Sequence, residues 1–273
     1  MHPFIRWAGG KTQLTKVLGS MLPREFNRYY EPFLGGGAMM LHTRPATARC
    51  GDLNGQLVNC YWQIRFAPVS VLHHLREFGV YIPCEEYYLE QRARYNTLML
   101  GGEMSPLTAA LMIWLNSQCF NGIYRVNRAG AFNVSYNKKQ RRTHINEENI
   151  FRISDYLNRG DIRIEERDFY ETCRDAARND FVFFDPPYVP VNGESSCKLY
   201  TRERFSDDEQ KRLAALFRDL DSKGVKLMLT NHDTPLTREL YGRYPIRKVN
   251  VRRSVNSDPK GRTGREIIVT NYV

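Results

Sequence analysis

The run Phe181-Val182-Phe183-Phe184, followed at once by Asp185-Pro186-Pro187-Tyr188, constrains this chain more than any other feature. Four consecutive large apolar residues without alternation predict a central parallel strand covered on both faces. Such a strand belongs in an α/β sheet, whose ligands lie in the crevice beyond the carboxyl ends of the strands. The residues that end it therefore bring a carboxylate (Asp185), a carbonyl (Pro186) and an aromatic face (Tyr188) to that crevice. Two successive prolines have no amide hydrogens and stiffen the turn. The plainer reading is a proline-rich strand terminator with an incidental aspartate.

An α/β rhythm surrounds this strand. Strands are predicted within NRYYEPF, at 47–51, 162–166 and 226–230, and in a terminal hairpin made by RKVNVRRSV and REIIVTNYV. Helical spacing covers 12–22 and 207–222. From about 56 to 117 the rhythm gives way to helices, after which FNGIYRVNRAGAFNV alternates around Gly130 like a hairpin. The expected architecture is a doubly wound mixed sheet built from 1–54 and 146–273. A mainly helical insertion, 55–145, carries the hairpin.

Composition narrows the function classes. The longest uninterrupted apolar stretch, 109–115, is seven residues, against the roughly 18 that a membrane-spanning helix needs. The opening MHPFIRWAGGKTQL has no apolar core followed by a cleavage site, so a cytoplasmic protein is expected. The 6 cysteines form no C-x-x-C pair and have no histidine at zinc-ligand spacing; neither a disulfide framework nor a metal is expected. The formal net charge of +10 is concentrated in two segments. Residues 120–145 hold Arg125, Arg128, Lys138, Lys139, Arg141 and Arg142 without an acid, and 243–265 hold eight basic residues against Asp258. That concentration suits a polyanion-binding face, since each neutralised phosphate releases condensed counterion. A solvated basic surface is the alternative.

The groups after the apolar strand suit transfer to an amine conjugated with a base ring. The lone pair of such a nitrogen is delocalised, and two acceptors holding its hydrogens, the Asp185 carboxylate and the Pro186 carbonyl, free it for attack. Tyr188 offers a stacking face, and a base treated this way must leave its duplex. Phe33-Leu34-Gly35-Gly36-Gly37 is a second motif, where small residues let backbone approach a ligand. Asp52 follows Gly35 by 17 residues, close to the roughly 20 between a glycine turn and a ribose-binding acid. The pair points to an adenosine-bearing cofactor; a tight turn with a capping Asp is the alternative. Gly10-Lys11-Thr12 ends like a phosphate loop, but the first glycine of that motif would fall at Ile5, so the phosphate-loop reading fails.

In order, WAGGK (7–11), EPFLGGGAMM (31–40), GDLN (51–54), FNGIYRVNRAGAFNV (120–134), DPPY (185–188), TNHDT (230–234) and VRRSV (251–255) resemble the Dam-type DNA adenine methyltransferases. These form the α-group of S-adenosylmethionine-dependent amino-methyltransferases, in which the glycine motif precedes the recognition insertion and DPPY. The resemblance spans nearly the whole chain and implies S-adenosylmethionine as cofactor, double-stranded DNA as partner, and a monomer that needs no metal. It implies that Trp7, Lys11, Phe33, Gly35 and Gly37 bound the cofactor pocket and that Asp52 binds ribose. Asp168 and Phe169 would contact the cofactor's adenine, while Asp185, Pro186 and Tyr188 form the target-base site. Arg6 and Arg125 match residues that read guanines of GATC, Phe120 an aromatic inserted at the flipped base, and Ile123 an apolar contact to thymine. Asn121, Lys138 and Lys139 complete the expected DNA contacts. Ser135 and Lys139 depart from the proline and tyrosine common at those positions.

Three rivals share parts of this signature. Methylation of cytosine's exocyclic amine would use DPPY almost as well, a silent DNA-binding regulator would keep the fold without the reaction, and RNA would satisfy the basic segments.

Overall fold

A computed structural model describes residues 1–7, 9–140, 145–190, 205–252 and 263–272. Arg141, Arg142, Cys197 and the last three residues of VRRSV lie outside the described residues. Strands β1 (Tyr29–Glu31), β2 (Thr47–Asp52), β3 (Asp161–Glu166), β4 (Phe181–Phe184), β5 (Lys226–His232), β6 (Ile246–Arg252) and β7 (Thr263–Thr270) form one sheet. Their spatial order is β3, β2, β1, β4, β5, β7, β6. The first five run parallel, and β7 is antiparallel to both β5 and β6. The fold is thus the mixed α/β sheet expected for an S-adenosylmethionine-dependent methyltransferase.

The unalternating β4 run is buried on both faces. Phe181 and Phe183 enter one core, Val182 and Phe184 the other. The first core is shared with α1 (Thr15–Ser20), α2 (Ala38–Thr43), α3 (Gly55–Phe66), α4 (Pro68–Gly79), α5 (Glu85–Leu100), α6 (Pro106–Gln118) and α7 (Glu147–Arg159). The second is covered by α8 (Phe169–Thr172), α9 (Asp207–Ser222) and α10 (Pro235–Tyr241). The helix expected over 12–22 is shorter, with a 3-10 turn at Lys11–Gln13 leading into α1.

Local chemistry sets the boundaries that matter for the site. Asn54, two residues past Asp52, caps α3 by accepting from the Leu57 amide at 3.0 Å, so β2 passes into α3 almost without a loop. α3 lies against the sheet: the Trp62 indole donates to the Ile164 carbonyl and the Arg65 guanidinium to the Ile162 carbonyl, each at 2.7 Å. These donors occupy carbonyls of the edge strand β3, which would otherwise present an open edge.

The hairpin expected around Gly130 is a loose one. Its two arms meet at isolated antiparallel bridges, Cys119 with Tyr136 and Val126 with Phe132. Side chains of α5 take up backbone groups that a ladder would use. Asn96 bonds both the amide and the carbonyl of Phe132 (2.8 and 3.0 Å), and the Tyr88 hydroxyl donates to the Val134 carbonyl at 2.8 Å. The alternation persists, with Tyr124, Val126, Phe132, Val134 and Tyr136 buried and Arg125, Asn133 and Ser135 on the outer side.

Candidate active site and nucleic-acid face

The direction of winding reverses between β1 and β4, which puts their carboxyl ends at the switch point where open α/β sheets bind ligands. From β1 the chain runs Glu31-Pro32-Phe33 into the glycine turn, and from β4 it runs into Asp185. Gly35 and Gly37 both have positive φ, +50° and +63°. A Cβ on Gly35 would stand 2.7 Å from Trp7 Cδ1, and one on Gly37 would stand 2.5 Å from the Tyr61 hydroxyl. Only glycine accepts both the backbone angle and the approach. Tyr61, on α3, donates to the Gly35 carbonyl at 3.0 Å, while Asp52 accepts from the Gly35 and Asn54 amides at 2.9 Å each. The glycine turn is therefore clamped from β2 and from α3. Burial outweighs these two donors and raises the Asp52 carboxyl above its ordinary value.

Asp185 sits at the centre of the crevice. Its Oδ1 accepts from the Thr230 hydroxyl and from Lys11 Nζ, each at 2.7 Å. Lys11 is 4% exposed, also donates to the Gly9 carbonyl, and holds its ammonium 4.6 Å from the centre of the Tyr188 ring. Tyr188 donates its hydroxyl to Glu266 at 2.9 Å and meets the His232 ring edge-on. Desolvation, with the Asp185 and Glu266 charges nearby, raises the Tyr188 phenol well above its usual value, so it stays protonated. Asn231 and Gln210 fix the rest of the turn: Asn231 Oδ1 accepts from the Val189 amide at 3.0 Å, and Gln210 donates to the Pro187 carbonyl at 2.9 Å. Pro186 is buried.

Asp168 and Phe169 are more heavily engaged than their sequence suggests. Asp168 caps α8 and forms an ion pair with Arg212. Phe169 is buried, stacked on Phe33, and carries the Arg212 guanidinium 4.5 Å over its ring. Phe33, the half-buried member of the pair, is the aromatic surface closer to solvent.

The expected nucleic-acid contacts form a second group. Arg6 is exposed, and the Asn116 side chain bonds both its amide and its carbonyl while also donating to the Gly122 carbonyl. Gly122 has φ +61°, and a Cβ there would stand 2.7 Å from Arg6 Cδ. The amino-terminal segment is thereby joined to the Phe120-Asn121-Gly122 turn. Phe120 is 56% exposed, Asn121 is exposed with φ +56°, and Ile123 is half-buried. Arg125 lies along the hairpin with its Nε donating to Asn133 Oδ1 at 2.9 Å. Lys138 and Lys139 are both exposed. Trp7 joins the two groups, beside the glycine turn on one side and stacked on Tyr124 at 5.5 Å on the other.

Comparison with known proteins agrees with this geometry. Residues 7–255 match the D12 class N6 adenine-specific DNA methyltransferases. The chain belongs to this family. The methyltransferase is 38% identical to the Type II methyltransferase M1.LlaDCHI of Lactococcus lactis subsp. cremoris, over 100% of this chain and 96% of the relative. It is 34% identical to the Type II methyltransferase M.MjaIII of Methanocaldococcus jannaschii, over 100% of this chain and 99% of the relative. To the DNA adenine methylase of Escherichia coli K12 it is 28% identical, over 93% of this chain and 89% of the relative.

Family membership makes S-adenosylmethionine the general methyl source and DNA the substrate. Among the described residues no helix is long and apolar enough to cross a membrane, and no cluster of metal-ligating side chains is present. The residues of the methyltransferase at the switch point fit such a cofactor. Each Asp52 oxygen accepts one backbone donor, and a carboxylate retains acceptor capacity beyond that for hydroxyl groups. Phe33 offers an aromatic surface beside it.

Two site residues escaped the sequence reading. Thr230 lay in the TNHDT string, whose role only the β4–β5 register reveals. Glu31 stood in EPFLGGG, yet nothing local told that it would be 2% exposed, accepting from the Tyr29 hydroxyl (2.8 Å) and the Met40 amide (3.0 Å). Burial, with help from Asp185, pushes its carboxyl up to about 8.

Proposed function

We propose that this methyltransferase transfers a methyl group from S-adenosylmethionine to N6 of an adenine turned out of duplex DNA, within GATC, acting as a monomer. The observation that carries the reading is Asp185 at the switch point, its carboxylate oriented from β5 by Thr230 at 2.7 Å. The exposed Arg6, Phe120, Lys138 and Lys139 and the half-buried Arg125 support it, with Arg6 packed against the Phe120–Gly122 turn and its neighbour Trp7 against the glycine turn. In this reading 55–145 is the recognition unit, with α3 tying it to the sheet, and 1–54 with 146–273 is the catalytic unit.

S-adenosylmethionine, when bound, supplies a methyl group already activated on a sulfonium sulfur. Asp52 would hold the ribose hydroxyls, the backbone of Gly35 and Gly37 would admit the cofactor closely, and Phe33 with Phe169 behind it would wall the purine. Trp7 would close the pocket from the amino-terminal side. Asp168, as the partner of Arg212, would act by fixing that wall.

The Asp185 carboxylate and the Pro186 carbonyl would each accept one N–H of the target amine, drawing its lone pair out of conjugation. The two acceptors would keep the freed lone pair aimed at the methyl group, and Asp185 would be the nearest acceptor for the proton that the methylated nitrogen sheds. Orientation of a nucleophile against an activated methyl supplies most of the acceleration. Arginine is the natural bidentate reader of guanine, which gives Arg6 and Arg125 their role. Adenine-specific family membership weighs against the cytosine rival, and the Lys11–Asp185–Thr230 arrangement weighs against a silent regulator.

The test is transfer of labelled methyl from S-adenosylmethionine to synthetic duplexes and to RNA of the same sequence. Label in the adenine of a GATC duplex is expected; label confined to RNA or to cytosine contradicts the reading.

A further inference from the structure

Lys11 stands where the reaction needs the target amine to be. Its ammonium donates to Asp185 Oδ1 at 2.7 Å and lies 4.6 Å over the Tyr188 ring, with the side chain 5% exposed. A target adenine needs the same two partners, an N–H on Asp185 and its ring over Tyr188. Oδ1 already carries the Thr230 and Lys11 donors, and the Lys11 ammonium covers the Tyr188 ring, so a base that stacks on that face must displace it. Like the target amine, the ammonium presents N–H donors, and its charge is drawn to an aromatic face.

We infer that Lys11 is a stand-in for the target amine. It fills the base site in the absence of substrate and is displaced from Asp185 when the adenine enters. The inference rests on the proposed reaction and adds to it a competition. Lys11 keeps the half-buried Asp185 carboxylate compensated while the site awaits a base, because a charge drawn out of water without a partner is costly. The base then enters only if its own donors replace those of Lys11; a base lacking the amine stays in its duplex and leaves Lys11 in place. A further hold on the carbonyl of Gly9, itself at φ +84° with open space around its Cβ position, leaves Lys11 anchored to its own turn after it swings away.

The competition separates from a role in cofactor binding by comparing two duplexes, one with adenine at the target and one with purine, the same ring without the amine. Binding is measured with S-adenosylhomocysteine present, on a sequence first shown to accept label. For the parent protein the two affinities are expected to lie within a few-fold of each other, because the amine's bonds replace those of Lys11. In Lys11→Met the adenine duplex should bind at least tenfold more tightly than the purine duplex, about the worth of a hydrogen bond to a charged group. A loss of cofactor affinity with unchanged discrimination would overturn the inference. A second measurement uses the unaltered protein labelled with 15N-lysine. The Lys11 ammonium resonance should move on adding the adenine duplex and hold its position on adding the purine duplex. Identical spectra in the two complexes would overturn the displacement. Absence of label on every duplex would instead overturn the reaction on which the inference rests.

Discussion

Thr230 donates its hydroxyl to Asp185 Oδ1 at 2.7 Å across the β4–β5 seam, where Phe184 pairs with Leu229. The register places Asp185 level with Thr230, so a fully buried side chain on the neighbouring strand sets the angle of the carboxylate.

Replacing Thr230 with Val keeps the shape and removes the donor. A hydrogen bond to a charged group is worth about 1.5–3 kcal/mol, so kcat is expected to fall by roughly ten- to a hundredfold. KM for DNA should change little, and Thr230→Ser should recover most of the rate. Steady-state kinetics of the two variants check this; an equal loss in both would assign Thr230 to packing alone.

Glu31 gives a pH dependence of stability. Its carboxyl is raised by burial to about 8 from 4.5, so between those values the folded chain keeps a proton that the unfolded chain has lost. The stabilisation is fully present below the unfolded value and is lost as pH rises through the folded one, falling by about 1.4 kcal/mol per pH unit for a single proton. In Glu31→Gln that decline should be absent, so the variant gains on the parent from pH 5 to 8. Denaturant titrations across that range measure it; parallel curves would contradict the buried, protonated Glu31.

Much of the site was legible because it follows local rules. Asp185 and the glycine turn announce themselves by ending apolar strands of an α/β rhythm, whereas the strand order that brings them together is a property of the folded sheet. Lys11 was legible as part of WAGGK but its partner was not: 173 residues of chain lie between Lys11 and Asp185, and only the path of the amino-terminal segment over the switch point brings them together. Glu31 and Thr230 belong to the same class, since their roles depend on burial and on a neighbouring strand's register. The hairpin was legible by its alternation, whereas its loose pairing depends on α5 side chains that no local pattern foretells.

Lys138 and Lys139 are exposed at the end of the hairpin. Each phosphate contact contributes a slope of about 0.9 in log affinity against log salt. Changing both to Ala should flatten the salt dependence by one to two contacts, roughly 0.9–1.8 in slope, and weaken all duplexes alike. Binding titrations at several salt concentrations decide it, and an unaltered slope would make these lysines solvated surface.

Arg125 should behave differently, because Asn133 holds its Nε and orients the guanidinium along the hairpin. A bidentate contact to guanine discriminates by about 1–3 kcal/mol. Arg125→Ala is expected to raise the relative rate on duplexes altered at one base pair of GATC by about ten- to a hundredfold, with the salt slope nearly unchanged. Rates on the complete set of single-substitution duplexes test it; equal losses on all would make Arg125 a backbone grip.

The most direct measurement treats unmethylated plasmid with the parent protein or with Asp185→Ala, in the presence of S-adenosylmethionine. The DNA is then digested with GATC nucleases that differ only in their response to N6-methyladenine. Plasmid exposed to the parent is expected to resist the nuclease blocked by that methyl and to be cut by the one requiring it. Plasmid exposed to Asp185→Ala should behave as untreated, while the variant still binds DNA within a few-fold of the parent. Full cleavage of the parent-treated plasmid by the blocked nuclease, or equal protection by both proteins, would contradict adenine methylation in GATC at the Asp185 site.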